Sequence, residues 1–236
     1  MLTWLKRDSP FPPVEKALNS PNGLLAAGDE LSPERILDAY SHGIFPWFSD
    51  GEPVLWWSPH PRMVLFPDEF RVSRSLARAA KSGRFDIRFD TAFKRVMQAC
   101  AEPRAGQKGT WIVPEMIDTY HRLHDMGFAH SVETWRCKEN QENGEGGDEL
   151  VGGLYGMALG KVFFGESMFA RETDASKVAL VALVDRLKAH GVRMIDCQQE
   201  TRHLASLGAR PIARAEFTQN LKEVINFPLT PTFWQR

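Results

Sequence analysis

Apolar residues recur along the chain with two different periods, and the switches between them mark out its elements. The clearest stretch is 150–198. Two apolar runs, Leu150-Val-Gly-Gly-Leu-Tyr-Gly-Met-Ala-Leu and Val162-Phe-Phe-Gly-Glu-Ser-Met-Phe, flank Gly160-Lys161, which predicts two buried strands joined tightly at a glycine. A helical run over 178–190 ends at Gly191, and Val192-Arg-Met-Ile-Asp-Cys-Gln predicts a further strand. Strand, hairpin, helix and strand in that order can close one sheet with a helix across it.

Upstream, residues 1–30 are rich in proline and glycine and read as loops and short extended pieces. Ser32, Pro33 and Glu34 are the N-cap, first-turn and dipole-facing residues of a helix that Gly43 closes. Two aromatic clusters follow, Gly43-Ile-Phe-Pro-Trp-Phe and Val54-Leu-Trp-Trp-Ser-Pro. From residue 61 strands and helices alternate: a strand at 63–66, a helix over 71–81, a strand at 85–89, and a helix capped by Asp90 that carries Phe93, Val96, Met97 and Cys100 on one stripe. Pro114 opens another helix that Gly127 stops, 129–136 is a strand, 206–209 a short turn and 217–225 a last helix. The polar, glycine-containing segment 138–149 cannot bury apolar surface and reads as a loop between paired strands. The fold expected is α+β: a small N-terminal domain, 1–62, and a larger domain, 63–236, with a central mixed sheet flanked by helices.

A formal net charge of -1 gives no global attraction to nucleic acid, which makes a local excess of charge informative. Arg71, Arg74, Arg78 and Lys81, three and four apart, together with Arg84 and Arg88 against Asp86, form a basic strip. Such a strip is either a solvated face or a grip on a phosphate backbone, and its concentration in a nearly neutral chain favours the second. Cys100, Cys137 and Cys197 show no C-x-x-C spacing, so reduced thiols in a cytoplasmic protein are expected. The first residues lack the apolar core of a signal peptide, and Asp185 and Arg186 interrupt the longest apolar helix, so no membrane span is expected.

Glu166, Asp196 and Gln198 interrupt runs that otherwise read as buried sheet. A buried carboxylate without partners costs several kcal/mol, so each either satisfies backbone donors or serves a site. Leu154, Phe163, Met168, Leu180, Leu183 and Ile195, on the same elements, are walls either of a core or of an apolar pocket. His121, His124 and His130 follow no zinc-ligand spacing, so no metal is expected. Gly165-Glu-Ser-Met lacks the second glycine of a nucleophile elbow. Phosphate-cradling and dinucleotide-binding glycine patterns are absent too, so no nucleotide cofactor is expected.

The runs Asn22-Gly-Leu-Leu, Gly43-Ile-Phe-Pro-Trp-Phe, Leu55-Trp-Trp-Ser-Pro, Gly109-Thr-Trp, Tyr120-His-Arg-Leu-His, Leu150-Val-Gly-Gly, Gly165-Glu-Ser-Met-Phe, Ala175-Ser-Lys, Ile195-Asp-Cys-Gln, Ala205-Ser-Leu-Gly-Ala and Phe233-Trp resemble the bacterial leucyl/phenylalanyl-tRNA–protein transferases over nearly the whole chain. Two features depart from that family: the acidic insert 138–149, and Thr201 where asparagine is expected. The resemblance implies a GNAT-like larger domain, no coenzyme A, ATP or metal, and transfer of leucine or phenylalanine, and more weakly methionine, from Leu-tRNA or Phe-tRNA to proteins with N-terminal Arg or Lys, marking them for degradation. It further implies that Gln198 receives the attacking amine and that Asp196 polarises the Gln198 amide and draws off the proton. Glu166 would hold the donor's ammonium, the apolar residues above and Gly165 would line the aminoacyl pocket, and Trp47 and Trp111 would stack near the terminal adenosine. Arg71, Arg74, Arg78, Lys81 and Arg84 would hold the tRNA acceptor stem. Two other readings stay open on sequence grounds: a coenzyme-A-dependent acetyltransferase, and a non-catalytic RNA-binding protein using the basic strip.

Overall fold

Two sheets share a core, and residues of both border the cavity described below. The computed structural model describes residues 2–103, 110–137, 147–227 and 233–234; Gly109 and most of the insert 138–149 lie outside them. In the first sheet β1 (Thr3–Leu5), β2 (Leu24–Gly28), β3 (Phe45–Pro46) and β4 (Val54–Trp57) pair in the order β1-β2-β4-β3. Helix α1 (Pro33–Ser41) intervenes after β2, and the Ser32 hydroxyl accepts the Arg35 N–H at 3.2 Å, as an N-cap should. Residues 1–30 thus contribute two strands, because pairing supplied by β4 satisfies backbone that no local pattern marks as sheet.

The second sheet contains β5 (Arg62–Leu65), β6 (Asp86–Phe89), β7 (Ala129–Arg136), β8 (Glu149–Leu159), β9 (Val162–Ala170), β10 (Met194–Asp196) and β11 (Arg210–Ile212), in the order β11-β5-β10-β9-β8-β7-β6. All neighbours are antiparallel except β9 and β10, whose parallel pairing requires the crossover helix between them. With α2 (Arg74–Lys81), α3 (Phe93–Ala101), α4 (Pro114–Asp125), α5 (Ala175–Ala189), α6 (Arg202–Ser206) and α7 (Arg214–Val224), the architecture is α+β, a small N-terminal sheet beside a larger mixed sheet flanked by helices.

Alternation along the central strands divides the interior. Leu154, Ala158 and Phe163 face α5, packing with Leu180, Leu183 and Leu187. Tyr155, Met157 and Phe164 face the opposite side, packing in one cluster with α1, α3, α4 and α7. That second cluster also takes in Leu25, Trp56 and Trp57, so the small sheet and one face of the large sheet share a core.

Two local expectations are corrected. Helix α2 begins at Arg74 with Ser73 as its N-cap, so Arg71 precedes the helix and does not share its face. Asp90 is no cap: its backbone is left-handed, and its carboxylate is taken by the Ser131 N–H and by His130. The first-turn region of α3 is instead served from β7, where the buried Glu133 carboxylate accepts the Thr91 and Ala92 N–H groups at 3.3 and 3.4 Å. The turn read at 206–209 is present, and it joins α6 to β11, an edge strand paired with β5.

Candidate active site

Parallel pairing of β9 with β10 covers Val162 to Phe164 against Met194 to Asp196, after which β10 ends and β9 runs on to Ala170. The two strands part there, and backbone that would otherwise be laddered borders an opening. On the other side of β9 the register with β8 passes from Tyr155↔Ser167 to Gly156↔Gly165, which leaves Glu166 as the extra residue of a bulge. A bulge re-aims a side chain that strict alternation would send elsewhere. Gly156 permits it: a Cβ there would lie 2.2 Å from the Phe164 carbonyl oxygen and 2.6 Å from the Phe163 ring.

Glu166 is met by two tyrosines from separate helices. The Tyr40 hydroxyl of α1 donates to its Oε1 at 2.6 Å, and the Tyr120 hydroxyl of α4 lies 3.4 Å from Oε2 and 2.8 Å from the Tyr40 hydroxyl. Burial nevertheless dominates and lifts the carboxyl to about 7, with the Tyr40 bond opposing the rise and the Asp196 charge adding to it. Neither tyrosine was singled out from sequence. The faint signal was a tyrosine on the apolar stripe of each helix, where a polar tip calls for a buried partner.

Gln198 follows β10 with a left-handed backbone (φ 54°), a conformation uncommon for a non-glycine residue. Two bonds hold it: its N–H donates to Asp196 Oδ1 at 3.0 Å, and its carbonyl accepts from the Met63 N–H at 3.3 Å. Its side-chain Nε2 donates to Glu166 Oε1 at 3.4 Å, so the amide oxygen is turned away from the carboxylate.

Asp196 lies outside the cavity wall. It is completely buried, with both carboxylate oxygens bound by Arg62 of β5 at 2.6 and 2.7 Å. Direct polarisation of the Gln198 side-chain amide by Asp196 is therefore not what the geometry contains; the contact is to the main-chain N–H. A buried carboxylate draws the nearest available cation, and antiparallel pairing of β10 with β5 brings Arg62 there. Arg62 also donates to the Gly43 carbonyl at 3.2 Å and lies between the Phe45 and Phe217 rings.

Glu166 and Gln198 sit on the wall of a cavity of about 450 Å³, within the range of small-molecule sites. Leu154, Phe163, Gly165, Met168, Leu180, Leu183 and Ile195 line it, and Trp47 and Trp111 border it as well. Phe45 and Pro46 of β3, Tyr155, and Gln199, Thr201 and His203 beyond β10 also border it. Thr201 is engaged as the N-cap of α6, its hydroxyl accepting the Leu204 N–H at 3.2 Å. Cys197 also borders the cavity, but burial above all, and then the Asp196 charge, raise its thiol far above the usual range, so it stays protonated and a poor nucleophile.

The basic residues Arg71, Arg74, Arg78, Lys81 and Arg84 are all exposed. Arg84 is paired with Glu172 at 2.6 Å, whereas Arg74, Arg78 and Lys81 make no salt bridge among the described residues. Asp90, His124 and His130 converge within 4.8 Å of one another, a grouping of the kind that can hold a metal. There His130 Nδ1 lies 2.7 Å from Asp90, its Nε2 3.1 Å from the Gly127 carbonyl, and His124 Nδ1 2.8 Å from the Ala129 carbonyl.

A family model described as leucyl/phenylalanyl-tRNA protein transferase matches residues 64–222, and one described as the N-terminal domain of that protein matches residues 29–60. The chain is 59% identical to the leucyl/phenylalanyl-tRNA–protein transferase of Chromobacterium violaceum over 234 residues, 99% of this chain and 96% of that one. It is also 59% identical to that of Nitrosospira multiformis over 227 residues, 96% and 94% of the two chains. Among solved structures, that of FemX matches with 12% identity and a TM-score of 0.48, over 84% of this chain and 74% of that one.

Proposed function

The chain belongs to the leucyl/phenylalanyl-tRNA–protein transferase family, and from that premise we propose that it transfers leucine or phenylalanine from the 3′ end of a charged tRNA to the α-amino group of an N-terminal Arg or Lys in an acceptor protein, marking that protein for degradation. In this reading residues 1–62 are a module that lends the aromatic rim, and 63–236 the transferase domain.

The observation that carries the reading is the contact of Glu166 with Gln198 on the wall of an apolar chamber. The donor's side chain fills the chamber, its adenine stacks at Trp47 and Trp111, and its ammonium lies against Glu166, which orients the ester carbonyl. An α-amino group has a pKa of about 8, so roughly a tenth is neutral at pH 7 and able to attack. The Gln198 amide oxygen accepts a hydrogen bond from that amine and aims its lone pair. The new C–N bond forms as the ester C–O bond breaks; the electron pair leaves on the ribose oxygen, and the proton shed by the amine ends there. Asp196 and Arg62 are positioning residues that hold the Gln198 backbone. The ester is already activated, so neither ATP nor a metal takes part in any step.

Labelled Leu-tRNA incubated with the purified protein and an Arg-initiated peptide, without ATP, should yield peptide extended by one leucine. Acetylation of the peptide from acetyl-coenzyme A with no leucyl product would replace the reading.

A further inference from the structure

A second cavity, of about 420 Å³, adjoins the first and has no part in the scheme above. Arg71, Ser73, Ser75, Asp174, Lys177 and His203 are on its wall, and His203 borders both cavities. Its position follows from three elements. Lys177 is in the first turn of α5, whose Leu180 and Leu183 wall the aminoacyl chamber. Ser73 and Ser75 are at the N-terminus of α2, whose Arg74, Arg78 and Lys81 form the basic strip. His203 is on α6. The second cavity thus touches the chamber at His203 and the helix of the strip at Ser73 and Ser75, and gives a polyanion bound at both a place for its backbone.

Its chemistry differs from that of the chamber. Two cationic side chains and four hydrogen-bonding ones, Ser73, Ser75, His203 and Ser206, accompany a single carboxylate, Asp174, which holds Lys177 at 3.1 Å. The Ser73 and Ser75 hydroxyls are 3.0 Å apart at the positive end of α2. Burial and then the Lys177 charge hold the His203 pKa below its ordinary value, so at neutral pH its ring is an uncharged hydrogen-bonding group. Val72, Leu76 and Leu207 complete the wall, and a tetrahedral anion with several acceptor oxygens would find donors from the α2, α5 and α6 regions.

We propose that this cavity receives a backbone phosphodiester of the donor's single-stranded 3′ end, next to the terminal adenosine, with Lys177 exchanging Asp174 for phosphate and Arg71, Ser73, Ser75 and His203 as further donors. The proposal rests on the transferase reading, since only that reading puts the terminal nucleoside in the first cavity.

The test compares two minimal donors, phenylalanyl-adenosine, which carries no phosphate, and phenylalanyl-cytidylyl-adenosine, which carries one phosphodiester. Lys177→Met and Ser75→Ala should each lower kcat/KM for the dinucleotide donor, by about tenfold for the lysine, and leave the adenosine donor within about twofold. Lys222→Ala, at an exposed position of α7 on neither cavity wall, should affect neither minimal donor. Equal losses with both donors, or no loss with either, would overturn the proposal. A binding arm separates it from the transferase reading: uncharged cytidylyl-adenosine should bind wild-type protein more tightly than adenosine, and Lys177→Met should erase the difference. Absence of product with either donor would sink the transferase reading, while equal affinities for the two uncharged compounds would sink this one.

Discussion

Arg62 grips Asp196 through both carboxylate oxygens, Nε to Oδ1 at 2.7 Å and Nη2 to Oδ2 at 2.6 Å, with both side chains removed from solvent. Oδ1 also accepts the main-chain N–H of Gln198, so one buried pair sets the backbone that carries the cavity's amide. Removing one member of such a pair strands the other charge, at a cost of about 3–5 kcal/mol. Arg62→Met and Asp196→Ala should each lose stability of that order in urea denaturation, and in the folded fraction kcat should fall while KM for the donor stays within about threefold. An Asp196→Asn protein with unchanged kcat would remove Asp196 from the mechanism.

The raised pKa of Glu166 gives stability a pH dependence of definite sign. In the unfolded chain this carboxyl titrates near 4.5, in the folded protein near 7. Between those values the folded state binds more protons, so the stability contribution falls as pH rises from about 4.5 to 7 and is constant above that. Activity should move the other way: an ammonium needs the carboxylate form, so kcat/KM for the donor should rise through pH 7. Glu166→Gln should flatten the stability trend, as measured by denaturation midpoints at pH 5 and 8, and should leave in the pH–rate profile only the rise that deprotonation of the acceptor amine, at about pH 8, gives. A wild-type rate that falls across pH 7 would contradict Glu166 as the ammonium's partner.

Selectivity in the apolar chamber should be graded. One methylene in such a pocket is worth about 1–3 kcal/mol, so methionine should be accepted with kcat/KM reduced by one to two orders of magnitude. Leu183 is 1% exposed and borders the chamber. Leu183→Ala should cost about 2–5 kcal/mol of stability and shift the Phe-to-Leu ratio of kcat/KM towards phenylalanine, because the enlarged space is filled by the larger ring. An unaltered ratio would show that α5 does not read the side chain.

Trp234 supports the chamber from behind. Its ring stacks on His130 at 3.9 Å and lies 5.8 Å from Phe163, a chamber wall, while Arg186 of α5 donates to the Phe233 carbonyl at 3.2 Å. Trp234→Ala should free the Phe163 ring and raise KM for the Phe donor about threefold to tenfold, with a smaller effect on kcat. Identical KM values would mean that Phe163 is held by its other neighbours alone.

Stacking of a base on an aromatic ring is worth about 1–3 kcal/mol. Trp47→Ala and Trp111→Ala should therefore each weaken binding of phenylalanyl-adenosine by roughly fivefold to a hundredfold, as read by calorimetry. Trp47 is 37% exposed and carries little of the core, so its replacement should leave the denaturation midpoint nearly unchanged. Full retention of affinity in both variants would move the adenine elsewhere.

Much of the machinery is visible in local pattern. The hairpin of β8 and β9, the helix α5 that follows and the strand β10 are each specified by apolar period and by the glycines that end them, and the chamber's apolar walls belong to those elements. Caps were read less evenly. Ser32 behaves as its neighbours dictate, whereas Asp90 is diverted to β7, because a carboxylate next to His130 and the Ser131 N–H gains more there than at a helix end.

The sequence alone determined which residues are apolar, roughly where most helices and strands lie, and that Glu166, Asp196 and Gln198 are out of place in buried sheet. Only the tertiary structure decided what each of them does. The partners that define their chemistry are distant in the chain, with Arg62 134 positions from Asp196 and Tyr40 126 positions from Glu166, and no periodicity encodes such separations. The bulge that turns Glu166 inward depends on the register between two whole strands and on a close approach at Gly156. Local propensity acts over a few residues, whereas a buried charge is settled by whichever group the packed elements bring within 3 Å of it; the one is written in the order of the residues and the other in their assembly.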